Sequence, residues 1–428
     1  MERLEITGGA RLEGSVSVSG SKNATLAIMA ASLAARSEVL LHNVAPIGDV
    51  LTMMEVLRHV GAEADFCGED TVRIDATHLS NARAPYDLVK RMRASFTVLG
   101  PILTRLGEAH IPLPGGCDIG SRPVNFHLDG LEKLGVDLRL EHGWVEAQIR
   151  DLRGASIYLD YPSAGATSHL LSVAVLADGV TTIENAAQEP EVAELAAFLN
   201  QCGARIEGAG TPDIRIEGVK SLQGCEHRVV EDRMEAATFA LAAAITGGDV
   251  WVEFPATWHM RPVLQKLRAT GVQAHSNGHG FRVKSRRRPL ATDIKTMPFP
   301  GFPTDVQQPM VALLSVADGT SVVTETVFER RFKYVEELRR MGADIRVDGS
   351  SAIVRGVPAL QGASVTATDL RAGAALAVAA LSAEAVTEIS GVHHIDRGYC
   401  GFVEKLVSLG GQARRLAGAQ RNIEACLA

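Results

Sequence analysis

The chain has 428 residues, 46% of them hydrophobic and 22% charged. That composition supports sizeable buried cores and excludes intrinsic disorder, and the length predicts roughly two or three domains. A formal net charge of −7 argues against a general nucleic-acid face or attraction to anionic membranes, while leaving room for a local cationic pocket.

The first residues, Met1-Glu2-Arg3-Leu4-Glu5, lack the apolar core of a secretory leader. The longest helix-like apolar run, 24–35, is closed by Arg36. It is too short to span a bilayer and predicts a buried helix. Further apolar helices are predicted to open near Arg93, Ala166, Ala236, Val306 and Leu370. After two of them a small turn and a β-rich run follow: Asp178-Gly179 then 180–183, and Asp318-Gly319 then 320–323. A second helix in each stretch ends on Leu, three residues, Gly. The pairs are Leu57/Gly61, Leu131/Gly135, Leu199/Gly203, Leu267/Gly271, Leu338/Gly342 and Leu406/Gly410, with glycine spacings of 74, 68, 68, 71 and 68. A glycine there suits a left-handed helix C-cap, and alternating residues such as 343–347 then read as a strand. The basic start of the tail 413–428, at Arg414-Arg415, reads with Arg421 as solvated helix or frayed chain.

Six units of about 70 residues therefore read as β-α-β-α-β with an extra strand, an α/β protein with sheets outside and apolar helices inside. The repeat allows one ring or two globules of three. The lengths favour two domains with a cleft between them. The six cysteines, Cys67, Cys117, Cys202, Cys225, Cys400 and Cys426, are scattered, with no CxxC and no histidine cluster at ligand spacing. That excludes a zinc-ribbon pattern and fits a reducing, cytoplasmic setting.

Cations stand where the helix dipole opposes them. Lys22, Arg93 and Arg371 sit at the starts of otherwise uncharged apolar helices. Arg122, Arg331 and Arg397 stand near the second helix of three units. Singly, each reads as a solvated surface charge. As a set at matched positions they point to an anion site, with arginine forks suited to phosphate and carboxylate. Cys117 lies in a loop of three glycines and a proline ahead of Arg122, where a thiol is either structural or a reactive proton donor. Asp305 lies between Thr304 and Gln307, which read as a capping box that explains it structurally; its other reading is a general base.

At these residues the sequence resembles the enolpyruvyl transferase family. The segments that carry the resemblance are Gly20-Ser21-Lys22-Asn23-Ala24, the loop from Leu113 to Val124, the stretch from Glu184 to Glu191, Phe302 to Gln307, and His394 to Tyr399. The cysteine loop points to the branch acting on UDP-N-acetylglucosamine, since the sister branch of the shikimate pathway is not expected to carry it. The resemblance implies an inside-out α/β barrel fold in two domains, each of three β-α-β-α-β-β units. The domains would be 22–229, and 1–21 with 230–428. It implies transfer of enolpyruvate from phosphoenolpyruvate to the sugar 3-hydroxyl, with phosphate released and no metal or organic cofactor. By the same resemblance Cys117 is the general acid, able to add covalently to phosphoenolpyruvate, and Asp305 takes the hydroxyl proton. Lys22, Arg93, Arg122, Arg331, Arg371 and Arg397 hold phosphate and carboxylate, with Lys22 and Arg397 in the catalytic set. Asn23, Pro123, Val124, Asn125, Phe126, Ser163, Gly165 and Val327 join the substrate contacts. Its partners are these small molecules alone, without nucleic acid or membrane, and a monomer is expected.

Three positions depart from the family pattern. Asn125 replaces an acidic residue, Tyr161 stands where a lysine is usual, and Cys400 replaces a glutamate. The phosphoenolpyruvate half is intact by this reading and the nucleotide half is altered. The alternatives are therefore a paralogue with another nucleotide or sugar acceptor, and a silent nucleotide-sugar sensor.

Overall fold

The computed structural model describes residues 2–115 and 124–417. Cys117, Arg122 and Pro123 lie outside them. The described residues form two compact units. The terminal unit holds residues 2–18, 233–297 and 302–417; the inner unit holds 19–115, 124–232 and 298–301.

Among the described residues, six small sheets carry the repeat. Five have four strands and one has three. In each four-stranded sheet one pair is parallel and the others antiparallel, as in the sheet of Ser156–Tyr158, Val180–Glu184, Ile214–Glu217 and Arg205–Glu207. The first two strands of the chain join the terminal unit. Arg3–Thr7 lies between Val386–Ser390 and Gln412–Leu416, and Glu13–Ser17 runs parallel to Asp249–Glu253. The start of the tail is thus an ordered strand, not solvated helix. Arg414 pairs with Glu5 at 2.6 Å and Arg415 with Asp396 at 2.5 Å, so its charges are cross-strand and local partners.

The apolar helices form the centre of each unit. In the terminal unit Arg233–Ile245, Thr304–Leu314 and Leu370–Ser382 pack on one another, and every residue of the first is buried. A helix buried on all sides needs no polar face, which is why these stretches are mostly apolar and lack an amphipathic period. Alanine lets three helix axes approach closely. In the inner unit Lys22–Ser32 and Ala164–Ala174 play the same part. These helices begin two residues before the apolar runs that predict them. The expected helix near Arg93 is broken instead: Arg93–Val98 is a 3₁₀ turn and the α-helix is Leu99–Leu106. Pro101 cannot donate to the carbonyl of Thr97, so the α-helix starts afresh with the proline in its first turn.

The six Leu-xxx-Gly glycines all have positive φ, from 83° at Gly271 to 101° at Gly61, the left-handed geometry that closes a helix. Helical Gly100 has a different reason to be glycine. A Cβ there would lie 2.6 Å from Val173 and 2.9 Å from His169. The fold also joins what the sequence scatters. Cys202 and Cys225, both free, bring their sulfurs within 3.2 Å. No described helix is long and apolar enough to cross a membrane, and no described cluster could hold a metal.

Candidate active site

In the terminal unit, Asp305 is gripped by two buried arginines. One carboxylate oxygen accepts from Arg331 Nη1 at 2.8 Å. The other accepts from Arg371 Nε at 3.1 Å, with Arg371 Nη2 at 3.0 Å. Both arginine side chains are at most 4% exposed, whereas Asp305 is 25% exposed. The carboxylate is therefore the accessible end of the cluster. Arg371 also donates to the Tyr399 hydroxyl at 3.1 Å, and that hydroxyl meets Thr238 at 2.8 Å. Asp369 caps the helix that carries Arg371, accepting from the backbone N–H groups of Arg371 and Ala372. Arg397 follows the short helix His393–Asp396 and is close enough to oppose protonation of His394. Burial lowers the His394 pKa first, with His393 and Arg397 adding to it.

The expected capping box at Thr304 and Gln307 does not form. Pro303 is the cap residue of helix Thr304–Leu314 and makes no side-chain cap bond. Thr304 is drawn instead to Glu325, at 2.8 Å, and Gln307 accepts from the buried Tyr334 hydroxyl. Asp305 is the second helical residue, and its carboxylate meets Arg331 and Arg371. Val327 lies in the turn after Glu325, its N–H donating to that carboxylate at 2.8 Å.

In the inner unit, Lys22 opens helix Lys22–Ser32 behind the Ser21 cap. Its ammonium pairs with buried Asp49 at 3.1 Å, and its N–H donates to Asp232 at 3.0 Å. Asn23 beside it is exposed. Arg93 starts the 3₁₀ turn and lies near buried His127. The His127 and His169 rings share a hydrogen bond between their Nδ1 atoms, 3.0 Å apart. Burial depresses the His127 pKa, and the charges of His169 and Arg93 add to the effect. Burial alone brings His169 down to about 4. Gly165 touches the same group, since a Cβ there would meet the His127 ring at 3.5 Å. Ser163 caps helix Ala164–Ala174, accepting from Ala166 N–H at 3.3 Å. Asn125 is exposed at the start of helix Asn125–Lys133, with Val124 and Phe126 half-buried. The hydroxyl of Tyr161 is buried.

The structure thus joins Asp305, Arg331 and Arg371 in direct contact, and groups Arg93 and Gly165 around His127. Lys22 and Arg397 each stand beside residues outside the expected set. The chain itself supplies carboxylates at two of the helix starts, Asp232 for Lys22–Ser32 and Asp369 for Leu370–Ser382. The dipole argument for a bound anion is answered there in part by the protein's own side chains.

A family model described as EPSP synthase (3-phosphoshikimate 1-carboxyvinyltransferase) matches residues 6–406. A protein of Caldanaerobacter subterraneus subsp. tengcongensis, named UDP-N-acetylglucosamine 1-carboxyvinyltransferase 1, is 52% identical over 405 residues, 94% of this chain and 97% of its own length. The chain belongs to the enolpyruvyl transferase family. A second relative, of the same name, from Halalkalibacterium halodurans is 49% identical over 99% of this chain and 97% of its own. Among solved structures, the enolpyruvyl transferase NikO from Streptomyces tendae superposes with a TM-score of 0.88 at 29% identity, covering 97% of this chain and 99% of that one. An EPSP synthase from Acinetobacter baumannii, at 19% identity and a TM-score of 0.75, shares the fold over 97% of this chain and all of its own.

Sequence reasoning missed several buried polar residues of this enolpyruvyl transferase: Asp49, His127, His169, Glu325 and Asp369. Asp369 had the clearest one available, an aspartate directly before an apolar helix. His169, inside an apolar helical run, shows as the wrong residue for its surroundings.

Proposed function

We propose that the protein transfers the enolpyruvyl group of phosphoenolpyruvate to the 3-hydroxyl of UDP-N-acetylglucosamine and releases phosphate, the first committed step of peptidoglycan synthesis. The single observation that carries this is near-50% identity, over almost the full length, to three proteins named UDP-N-acetylglucosamine 1-carboxyvinyltransferase. In this reading Cys117 donates a proton to the methylene carbon of phosphoenolpyruvate, which places positive charge on the carbon bearing phosphate. The sugar hydroxyl adds there and gives its proton to Asp305. Loss of a methyl proton and of phosphate then restores the double bond. Lys22, Arg93, Arg122, Arg331, Arg371 and Arg397 hold the two anionic ends, and Asn23, Val124 to Phe126, Ser163, Gly165 and Val327 position the sugar nucleotide. Oriented anions in a low-dielectric site are worth several kcal/mol of barrier, on the order of 7–11 kcal/mol where geometry is ideal. Asp305 supports this assignment because its carboxylate is the solvent-facing member of an otherwise buried cluster. The protein acts as a cytoplasmic monomer, and the inner unit is the domain that carries the Cys117 loop.

A second reading, a different nucleotide acceptor, draws on Asn125 and Tyr161, the two altered positions. Phosphate release measured with UDP-N-acetylglucosamine, UMP and other UDP-sugars separates the two. Turnover only with the amino-sugar nucleotide is expected. Turnover only with another acceptor replaces the first reading with the second.

A further inference from the structure

We propose that Glu325 is a positioning residue for the reaction, acting through the Thr304 hydroxyl to hold Arg331 and Asp305 in working geometry. This rests on the reading of Asp305 given above. Glu325 is 1% exposed and its carboxylate accepts four hydrogen bonds. One oxygen takes Thr296 Oγ1 at 2.7 Å, Val327 N–H at 2.8 Å and Phe328 N–H at 3.0 Å. The other takes Thr304 Oγ1 at 2.8 Å. Thr304 Oγ1 in turn accepts from Arg331 Nη1 at 2.9 Å, the same nitrogen that donates to Asp305.

The polarity of this chain is fixed by chemistry. A guanidinium only donates and a carboxylate only accepts, so the single Thr304 hydrogen must point at Glu325. That turns a Thr304 lone pair toward Arg331. Arg331 Nη1 is thereby held between Thr304 and Asp305, and the carboxylate of Asp305 is aimed by an arginine that is itself anchored. Glu325 also ties down the Val327–Phe328 turn, so one buried acid orients three parts of the same cluster.

The repeat shows that the fold does not ask for an acid here. Register continues from Lys295↔Thr324 to place Glu325 opposite Thr296. In the inner unit the matching positions are Asn43 opposite Val229 and Asn185 opposite Leu159, each donating its amide to the facing carbonyl. The other two four-stranded sheets have Phe254 and Gly391 there. Of the five four-stranded sheets, only the one beside the helix beginning Thr304-Asp305 carries a carboxylate there. Burying a carboxylate is costly, and here its last oxygen faces the active cluster.

The test uses the full-length protein with phosphoenolpyruvate and UDP-N-acetylglucosamine. Thr304→Val keeps the three other bonds of Glu325 and cuts only the branch to Arg331. Its kcat is expected to fall about 10- to 100-fold, the scale of a small misplacement of a reacting group, with KM changed much less. Thr304→Ser restores the rate. Glu325→Gln faces an amide N–H₂ toward Thr304, and the double variant should be no slower than Glu325→Gln alone. Wild-type kcat in Thr304→Val, or multiplicative losses in the double variant, overturns the inference. Asp305→Ala run beside them distinguishes the two levels. If it abolishes turnover while Thr304→Val stays at the wild-type rate, the inference falls and the role of Asp305 stands. If it turns over normally, both fall.

Discussion

Replacing His169 with Asn should remove about 2 kcal/mol of acid sensitivity from the folded protein. The wild-type pair has its two Nδ1 atoms 3.0 Å apart in a buried site, so one ring donates and the other accepts. An imidazolium at His169 would carry an N–H on both ring nitrogens, and Nε2 has no hydrogen-bond partner among the described residues. Burial brings the pKa from 6.5 down to about 4. The folded state binds this proton less readily than the unfolded chain, so the contribution to stability is complete above pH 6.5 and is lost as pH falls toward 4. From these two values the loss is about 2 kcal/mol between pH 7 and pH 5, and about 3 kcal/mol below pH 4. Asn offers one polar atom where Nδ1 stands and does not titrate. Its smaller volume lowers stability at every pH, so the slope with pH is the readout. Urea unfolding of both proteins at pH 7, 6 and 5 should show the wild type losing the extra increment. His127 remains in both, and its own burial remains the larger cause of its depressed pKa. Equal losses in the two proteins would refute the assignment of this increment to buried His169.

Cys117→Ala should cut turnover by about 100-fold or more, the usual worth of a general acid, while sugar-nucleotide binding measured by calorimetry persists. Cys117→Asp should keep more activity than Ala, because a carboxylic acid also donates a proton; equal rates in the two would remove the thiol from proton transfer. Lys22→Met should cost about 3 kcal/mol of stability beyond any effect on turnover, because it removes the cation paired with the buried Asp49 carboxylate. An unchanged urea midpoint would show that the pair carries no structural weight.

The repeat was legible because it rests on local physics. Each Leu-xxx-Gly marks a helix end whose left-handed cap only glycine adopts cheaply, and Gly61 through Gly410 all have that φ. Apolar runs marked the central helices because a helix buried on all sides has no polar face. The break at Pro101 was readable in principle, since a proline eight residues past Arg93 removes a helical hydrogen bond and favours a kink or a break. The site was legible in its residue types and not in its pairings. Asp305 and Arg371 are 66 residues apart and meet at 3.1 Å only because two central helices start side by side. Thr304 and Gln307 fit a capping pattern, but a buried Glu325 is a stronger acceptor for the threonine than the helix is a donor. At the tail the exposed character of Arg414 was readable, while the strand that carries it was not, because its partners Glu5 and Asp396 come from elsewhere in the chain.

The cations expected to hold anions stand beside carboxylates of the chain itself. Arg331 and Arg371 are nearly inaccessible, and two buried guanidiniums without a counter-charge would cost several kcal/mol each. Asp305 bridges both guanidiniums, and a cluster paired in this way keeps its geometry before substrate arrives. The acidic residue expected to take the hydroxyl proton is therefore also what allows the arginines to be buried and fixed, which is the condition for electrostatic stabilisation without reorganisation. The same logic applies at Lys22, where Asp49 holds the ammonium and Asp232 holds the backbone at the helix start. Removing any of these carboxylates should loosen a cation as well as remove a base, so Asp305→Asn, which keeps one acceptor, should retain more stability than Asp305→Ala at equal loss of proton transfer.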